Sequence, residues 1–198
     1  MISAKLKPAV TRFITPVAVV ALRLGITPNA VTWSGAIAVV ASALYFYPRG
    51  EFFVGTFIIC VAALSDLFDG TMARISQQGS SRWGEFLDST IDRITDSVIL
   101  IGLCIYLIGE NDALAYVVIV NLVTGMLVPY IRAKAESFQI ACTGGLAKRP
   151  ERLVISLAAI GFGGLGTPFV TAGGMWILAL LGSFTVAQRM YIVKRAVK

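Results

Sequence analysis

The sequence predicts an all-α integral membrane protein in which six transmembrane helices follow an N-terminal amphipathic helix at the membrane surface. Of the 198 residues, 57% are apolar and only 14% are charged, and the mean hydropathy is +0.79. This composition is too apolar for a soluble domain of this length. The apolar runs are continuous and do not alternate with polar residues, which favours helices over a barrel. We expect one domain, residues 1–198.

The elements follow from the apolar runs. Residues 1–25 mix basic with apolar side chains and are interrupted by Pro8 and Pro16, a pattern typical of an amphipathic segment at the bilayer surface. A membrane-spanning helix needs about 20 apolar residues. Six windows come close to that length: 29–48, 52–73, 86–108, 113–133, 151–165 and 168–188. The fifth becomes long enough if it starts at Pro150, because proline is favoured in a first turn.

The distribution of lysine and arginine predicts the orientation of these helices. With a cytoplasmic N-terminus, every Lys and Arg except Arg49 falls on the cytoplasmic side, in agreement with the positive-inside rule. A five-helix alternative would lose this pattern. The net charge of +6 therefore marks a cytoplasmic face that meets lipid head groups and anionic substrates, and it does not indicate nucleic-acid binding. We expect a multi-pass protein of the cell membrane with its site on the cytoplasmic side.

The residue types that are missing limit the possible chemistry. The chain has no histidine, and its three cysteines are scattered without metal-ligand spacing. His-based triads and imidazole bases are thereby excluded, and no disulfide framework is predicted. We therefore expect carboxylates to provide any general acid–base catalysis.

Four aspartates beside the second and third predicted helices are the candidate functional residues. Asp66 and Asp69 are three residues apart, and Asp88 and Asp92 are four apart, so each pair shares one helix face. The short loop 75–83 makes the two helices antiparallel neighbours, and the four carboxylates can converge. Charges beside apolar runs are costly unless they are paired or bind metal. Oxygen ligands alone favour Mg²⁺ or Mn²⁺ over zinc.

The residues around the first aspartate pair fit a diphosphate held by such ions. Divalent cations neutralise diphosphate oxygens and stabilise charge as a phosphoryl bond breaks. Gly70 and Ala73 keep one helix face small, so a flat ligand can approach the backbone. Arg74 adds a guanidinium group that can bind phosphate oxygens in a bidentate manner. A nucleoside diphosphate fits this set.

The pattern Asp-x2-Asp-Gly-x2-Ala-Arg, followed after a spacer by Gly-x3-Asp-x3-Asp, resembles the signature of the CDP-alcohol phosphotransferase family. All eight fixed positions are present, as Asp66, Asp69, Gly70, Ala73, Arg74, Gly84, Asp88 and Asp92. The spacer is one residue longer than usual and falls in a Gly/Ser-rich loop, where an insertion is tolerated. The alternative interpretation is a structural or proton-relay carboxylate cluster.

This resemblance implies a six-helix, usually dimeric enzyme that moves a phosphoalcohol from a CDP-linked donor to an acceptor hydroxyl and releases CMP. The four aspartates would hold two metal ions, Mg²⁺ or Mn²⁺. Asp92 would also be the base that takes the proton of the acceptor. Contacts to the cytidine diphosphate would come from Gly70, Ala73 and Arg74.

Two further features lie near the signature. The segment Thr27-Pro28-Asn29-Ala30-Val31-Thr32 resembles the start of the first helix in this family, so Asn29 and Thr32 are candidates to face the CDP-linked substrate. A helix cap with proline in the first turn explains much of the same pattern. Asp96 continues the second aspartate stripe by one turn, outside the signature. It either pairs with Arg93 or another polar group, or has a purely structural use.

Lysine and arginine residues at three predicted helix ends lie at the same depth in the membrane as the aspartates. A neutral alcohol would not need so many cations, whereas a phosphorylated acceptor would. The four that lie slightly inside the helices are our candidates for binding the acceptor phosphate: Arg132, Lys134, Arg152 and Arg189. The others are interpreted as ordinary positive-inside anchors: Lys148, Arg149, Lys194, Arg195 and Lys198.

The stretches Tyr-Ile-Arg-Ala-Lys-Ala-Glu and Arg-Pro-Glu-Arg-Leu-Val-Ile are similar to those of one group within the family, the actinobacterial phosphatidylinositol phosphate synthases. The resemblance implies CDP-diacylglycerol as donor, myo-inositol 1-phosphate as acceptor, and a phosphate held by the four basic candidates. Two alternatives stay open. A phosphatidylglycerophosphate synthase would use glycerol 3-phosphate and would also need cations. A cation-coupled transporter would give ion flux without CMP release.

Overall fold

The computed structural model describes residues 15–75, 81–142, 144–145 and 149–197. No residue in this part of the chain belongs to a strand, and helices account for most of it. The predicted all-helical fold class is therefore confirmed. Residues 1–14 of the predicted amphipathic segment, and the predicted anchors Lys148 and Lys198, lie outside the described residues.

Eight α-helices follow one another in the described chain. Helix α1 covers residues 15–23 of the described chain, and the others are α2 (Pro28–Phe46), α3 (Phe52–Ala63), α4 (Ser65–Ile75), α5 (Arg82–Gly109), α6 (Leu114–Ser137), α7 (Arg149–Gly163) and α8 (Pro168–Ala196). A 3-10 turn, Tyr47–Arg49, follows α2. Each predicted window overlaps one helix except the second, which covers both α3 and α4. The continuous apolar run gives no sign of the interruption between these two helices at Leu64.

In the part of the chain that the structure describes, four segments are long and apolar enough to cross a membrane: Pro28–Arg49, Phe52–Ile75, Leu114–Ser137 and Phe169–Ala196. These segments indicate a membrane protein. The predicted number of six spans is not confirmed. Helix α5 has 28 residues, but its first half carries the charged signature. Helix α7 has 15 residues, which is short for a membrane-spanning helix.

Helix α1 ends and α2 begins within a few residues. Gly25 takes a left-handed φ of 80°, and the N–H of Ile26 donates to the Ala21 carbonyl at 3.1 Å. This Schellman arrangement favours glycine, because other residues are strained at that φ. Thr27 then caps α2, since its Oγ1 accepts from the N–H of Ala30 at 3.2 Å. The predicted cap with proline in the first turn is thus confirmed.

The described chain divides into two compact units. The first consists of Met1–Ala41 and Ile58–Thr95, and the second of Ser42–Phe57 and Asp96–Lys198. The four signature aspartates belong to the first unit. The basic candidates for the acceptor phosphate all belong to the second unit, with α6, α7 and α8.

In the first unit, α1 packs on α4 through Ala18 and Met72, which are almost fully buried. Partly buried apolar side chains surround them: Ala21, Leu22, Val31 and Phe68. The opposite face of α1 is apolar but uncovered, and Val17 and Val20 are each 54% exposed. Helix α1 therefore has one face against the protein and one apolar face turned outward.

In the second unit, α8 packs along both α6 and α7. Small residues permit the close approach, because a Cβ on Gly174 would lie 2.3 Å from the Ala159 Cβ. A Cβ on Gly182 would lie 2.6 Å from the Thr124 hydroxyl. The three helices therefore form a tightly packed group that positions the basic residues of α6, α7 and α8.

Gly102 offers a direct test of this packing in the second unit. A Cβ there would lie 2.4 Å from the Ala43 carbonyl oxygen of α2, so one backbone would have to move. We expect Gly102→Ala to lower the free energy of unfolding by about 1–3 kcal/mol, as overpacking does. The matched control is Gly109→Ala in the same helix, where a Cβ would meet nothing within 4 Å. Equal thermal midpoints for the two variants in detergent would contradict the described contact.

Candidate active site

One face of α4 carries the first half of the aspartate signature. Residues 66, 69, 70 and 73 follow one another at helical spacing and share this face. Asp69 is buried, whereas Gly70 is exposed, and a Cβ on Gly70 would meet nothing within 4 Å. Asp66 belongs to the helix, but its side chain is outside the described part. The small, approachable surface predicted at Gly70 is therefore present.

Thr32 of α2 supports the buried carboxylate. Its hydroxyl donates to Oδ2 of Asp69, and both residues are only 7% exposed. A buried carboxylate is costly without donors, so this hydrogen bond stabilises Asp69 and orients it. The sequence motif singled out Thr32 as a contact of the CDP-linked substrate. The structure adds a different role for its hydroxyl, and the substrate contact stays a prediction.

The second half of the signature begins at the start of α5. Ser81 caps the helix, since its Oγ accepts from the N–H of Gly84 at 2.9 Å. Asn29 at the start of α2 is close by, with its Oδ1 3.5 Å from the position of a Cβ on Gly84. Gly84 thus lies where two helix starts meet. A side chain larger than Ala at this position would crowd Asn29.

The remaining signature aspartates occupy the next turns of α5. Asp88 is exposed and is close enough to Asp69 to repel it electrostatically. The Asp92 side chain is only 16% exposed and lies 3.9 Å from the guanidinium of Arg93. Helices α4 and α5 therefore bring Asp69 and Asp88, one aspartate from each pair, within electrostatic range of each other.

The donor set fits a hard divalent cation by its chemistry. All the candidate ligands are carboxylate oxygens, which Mg²⁺ and Mn²⁺ prefer. Among the described side chains no group of three acidic, His or Cys residues is arranged to hold a metal. The Asp66 side chain is not among these described side chains. A complete site therefore depends on Asp66 joining the other three aspartates.

Arg74 lies at the end of α4 and folds back over its last turn. Its Nε donates to the Gly70 carbonyl at 2.9 Å, and its Nη2 lies 3.3 Å from the Thr71 hydroxyl. A cation is favourable at a helix C-terminus. The exposed guanidinium is thereby held beside the open surface at Gly70, where it is available to an anion.

In the second unit, two of the predicted basic residues converge on α6. Arg189 of α8 donates from Nη1 to the Val128 carbonyl and from Nε to the Gly144 carbonyl at 2.8 Å. The Nη2 of Arg152 lies 3.2 Å from the position of a Cβ on Gly125. Gly125 and Val128 are one turn apart on α6. Both guanidinium groups therefore lie along the same side of this helix.

The other two basic candidates are on α6 itself. Arg132 lies one turn beyond Val128, is within electrostatic range of Arg189 and pairs with Glu136 at 2.8 Å. The Nζ of Lys134 lies 4.7 Å from the ring centroid of Phe138. Two residues along an α-helix are about 200° apart around its axis. The structure thus brings Arg132, Arg152 and Arg189 to one side of α6, with Lys134 on another.

Asp96 and Arg149 form an ion pair that sequence reasoning missed. The Arg149 Nε lies 3.1 Å from Oδ2 of Asp96, and its Nη2 lies 3.3 Å from Oδ1. The spacing of the aspartates predicts that Asp96 either pairs with a polar group or has a purely structural use. The structure shows the polar partner, Arg149. The positive-inside pattern predicts a membrane anchor at Arg149, and no sequence pattern connects two residues 53 positions apart. The pair joins α5 to the first turn of α7.

Comparison with known proteins identifies the family. A model of the CDP-alcohol phosphatidyltransferase family matches residues 25–191, most of the chain and all eight signature positions. The chain belongs to the CDP-alcohol phosphatidyltransferase family. It is therefore an enzyme, a transferase of phospholipid biosynthesis with membrane helices.

Individual members of the CDP-alcohol phosphatidyltransferase family are similar along most of the chain. The phosphatidylinositol phosphate synthase of Streptomyces avermitilis is 44% identical over 93% of this chain and 79% of its own length. That of Cutibacterium acnes is 38% identical over 93% of this chain and 94% of its own length. The recognised resemblance to phosphatidylinositol phosphate synthases is confirmed.

Solved structures of the family show the same fold. The Mycobacterium tuberculosis phosphatidylinositol phosphate synthase with CDP-DAG bound is 38% identical, covers 92% of this chain and 94% of its own, and has a TM-score of 0.86. A second structure of that enzyme, in complex with manganese and citrate, has a TM-score of 0.84 at 37% identity over 91% of this chain and 88% of its own.

Proposed function

We propose that this enzyme transfers the phosphatidyl group of CDP-diacylglycerol to inositol 1-phosphate, giving phosphatidylinositol phosphate and CMP. The observation that carries the proposal is an intact family signature on α4 and α5 in a chain that is 44% identical to a phosphatidylinositol phosphate synthase. The three arginines along one side of α6 support a phosphorylated acceptor, because a neutral alcohol gives them no anion to bind.

The donor is assigned to the first unit. The four aspartates, Asp66, Asp69, Asp88 and Asp92, would hold divalent cations, two in number, either Mg²⁺ or Mn²⁺. When bound, such ions neutralise the diphosphate oxygens and stabilise the charge on departing CMP. The open surface at Gly70, with Ala73 beside it, admits the cytidine diphosphate to the backbone of α4. Arg74 supplies a guanidinium fork for a phosphate oxygen, and Asn29 and Thr32 line the start of α2.

The chemical step requires a base. In our assignment Asp92 takes the proton of the inositol hydroxyl, whose oxygen then attacks the β-phosphorus, the one that bears the diacylglycerol. The bond from this phosphorus to the CMP oxygen breaks, and CMP leaves with the electron pair. Asp92 suits the role because its carboxylate is largely shielded from solvent while still belonging to the aspartate stripe of α5.

The acceptor is assigned to the basic candidates of the second unit. Arg152 and Arg189 reach the same side of α6, and Arg132 is one turn further along. Guanidinium groups bind phosphate through paired N–H donors, which also orients it. Lys134 is included as a fourth cation, acting through its charge. Together they would select an alcohol that carries a phosphate.

The membrane arrangement is part of the same proposal. We propose six spans, formed by α2, by α3 with α4, and by α5, α6, α7 and α8, with α1 lying at the membrane surface. The uncovered apolar face of α1 and the positive-inside pattern support this. The uninterrupted match over residues 25–191 supports one domain. The active site would face the cytoplasm in the cell membrane, and the resemblance implies a homodimer.

One experiment tests the proposed function. The purified protein is supplied with CDP-diacylglycerol, Mn²⁺ or Mg²⁺, and either inositol 1-phosphate or glycerol 3-phosphate, and the lipid product is identified by mass spectrometry alongside CMP release. We expect phosphatidylinositol phosphate from the first acceptor. A lipid product made only from glycerol 3-phosphate would replace the proposal by a phosphatidylglycerophosphate synthase. Ion flux in liposomes without CMP release would replace it by a transporter.

The Thr32 hydrogen bond leads to a prediction about the metal. Thr32→Val keeps the shape of the side chain but removes the donor to Asp69, so this buried carboxylate is less well oriented. We expect the Mn²⁺ concentration for half-maximal activity, and the Mn²⁺ dissociation constant measured without substrates, to rise about tenfold. The control is Thr171→Val, which is similarly buried but donates to the Ala159 carbonyl in the second unit. Unchanged Mn²⁺ binding in Thr32→Val would contradict the role of this hydrogen bond.

A further inference from the structure

We propose that Asp96 and Arg149 are positioning residues for the acceptor site, and that their ion pair sets where Arg152 presents its guanidinium. The inference rests on the proposed function, because it assumes that Arg152 binds the acceptor phosphate. Neither residue belongs to the family signature, and neither contacts the reacting atoms in this assignment. Their effect on the reaction is therefore indirect.

Arg149 is the first residue of α7, and Arg152 follows three positions later on the same helix face. Arg149 is held by both oxygens of Asp96 on α5, and Arg152 lies against Gly125 of α6. The first turn of α7 is thus attached to two neighbouring helices. A shift at Arg149 is transmitted directly to Arg152 through one turn of helix.

The Asp96 carboxylate also offsets positive charge at the start of α7. Two arginines in the first turn of a helix are unfavourable, since the N-terminal end of the helix dipole is positive. The Asp96 carboxylate offsets the charge of Arg149 through a bidentate contact, the strongest geometry for this pair. The pair therefore fixes the first turn of α7, which carries Arg152, to α5.

Asp96 lies one turn after Asp92, the proposed base, and on the same face of the helix. The same helix thus carries the proposed base and the carboxylate that anchors α7. The ion pair therefore attaches the start of α7 to α5 at Asp96.

The test is a double-mutant cycle measured by steady-state kinetics in detergent. We expect Asp96→Asn and Arg149→Gln each to raise the KM for inositol 1-phosphate about tenfold, with the KM for CDP-diacylglycerol and the thermal midpoint unchanged. In an Arg152→Gln background the same two substitutions should have no further effect on the acceptor KM. Arg149→Lys retains the charge but not the paired N–H donors of the guanidinium group. Its KM for inositol 1-phosphate should lie between those of Arg149→Gln and the unmodified enzyme.

Matched controls are available in the chain. Asp112→Asn replaces an aspartate that accepts from the N–H of Leu114, and Arg49→Gln removes an arginine that lies over the Tyr45 ring. Both should leave the acceptor KM unchanged. The inference is overturned if Asp96→Asn leaves the acceptor KM unchanged, if it alters both KM values and the thermal midpoint together, or if its effect adds to that of Arg152→Gln.

The same experiment distinguishes failure of the proposed function from failure of the inference about Asp96 and Arg149. The unmodified enzyme is first assayed with both phosphorylated alcohols, and the cycle is then run with the one that it uses. If that alcohol is glycerol 3-phosphate, the proposed function fails, while the same pattern of KM values still supports Asp96 and Arg149 as positioning residues. If inositol 1-phosphate is used and the pattern is missing, only the inference fails.

Discussion

Asp92→Asn lowers the turnover number by about 1,000-fold while binding of CDP-diacylglycerol survives, if Asp92 is the general base. Asparagine has nearly the shape of aspartate but cannot accept the proton of the inositol hydroxyl. The measurement combines single-turnover CMP release with the dissociation constant for CDP-diacylglycerol in the presence of Mn²⁺. Near-normal turnover in this variant would remove Asp92 from the assigned role.

The control for this prediction is the same substitution at an aspartate outside the signature. Asp112→Asn affects a carboxylate that accepts from the Leu114 N–H at 2.8 Å, and it should leave both turnover and donor binding unchanged. A loss of donor binding in Asp92→Asn, equal to its loss of turnover, would assign Asp92 to metal binding alone. The two measurements together therefore separate the base from a simple ligand.

Arg152→Gln raises the KM for inositol 1-phosphate about 30-fold, which corresponds to about 2 kcal/mol for one charge-assisted contact with phosphate. The reason is that glutamine cannot replace the guanidinium fork that lies beside Gly125. Arg195→Gln, at the end of α8 where the guanidinium lies over the Tyr191 ring, is the matched control and should leave this KM unchanged.

Unphosphorylated inositol provides a second comparison. Because Arg152 is assigned to the phosphate, the substitution should reduce kcat/KM for inositol 1-phosphate far more than the small activity with free inositol. The specificity for the phosphorylated alcohol then falls by the same factor as the KM rises. Equal losses for the two acceptors would show that Arg152 supports the fold or the chemical step and does not recognise the phosphate.

The reaction class was accessible from the sequence because its signature is local. Each aspartate pair, Asp66 with Asp69 and Asp88 with Asp92, spans about one helical turn. Helical spacing alone therefore puts each pair on one face. The same logic identified the small surface at Gly70. The family match agrees with this interpretation.

The supporting contacts were not accessible in the same way. Thr32 donates to a carboxylate 37 residues away, and Arg149 pairs with one 53 residues away. Neither distance corresponds to a helical repeat, so no pattern in the sequence connects the partners. For the same reason, the basic candidates looked equivalent in sequence. Only their packing shows Arg152 and Arg189 on one side of α6 and Lys134 over Phe138.

By itself the sequence determined the helical membrane class and the spacing of the four aspartates, and it predicted hard-metal chemistry, because apolar content, helical periodicity and ligand type are properties of neighbouring residues. The tertiary structure alone decided which polar groups support those residues. Packing brings Thr32 to Asp69, Arg149 to Asp96, and Arg189 to the carbonyls of Val128 and Gly144. A buried polar group needs a partner, but which distant residue supplies it depends on how the helices pack.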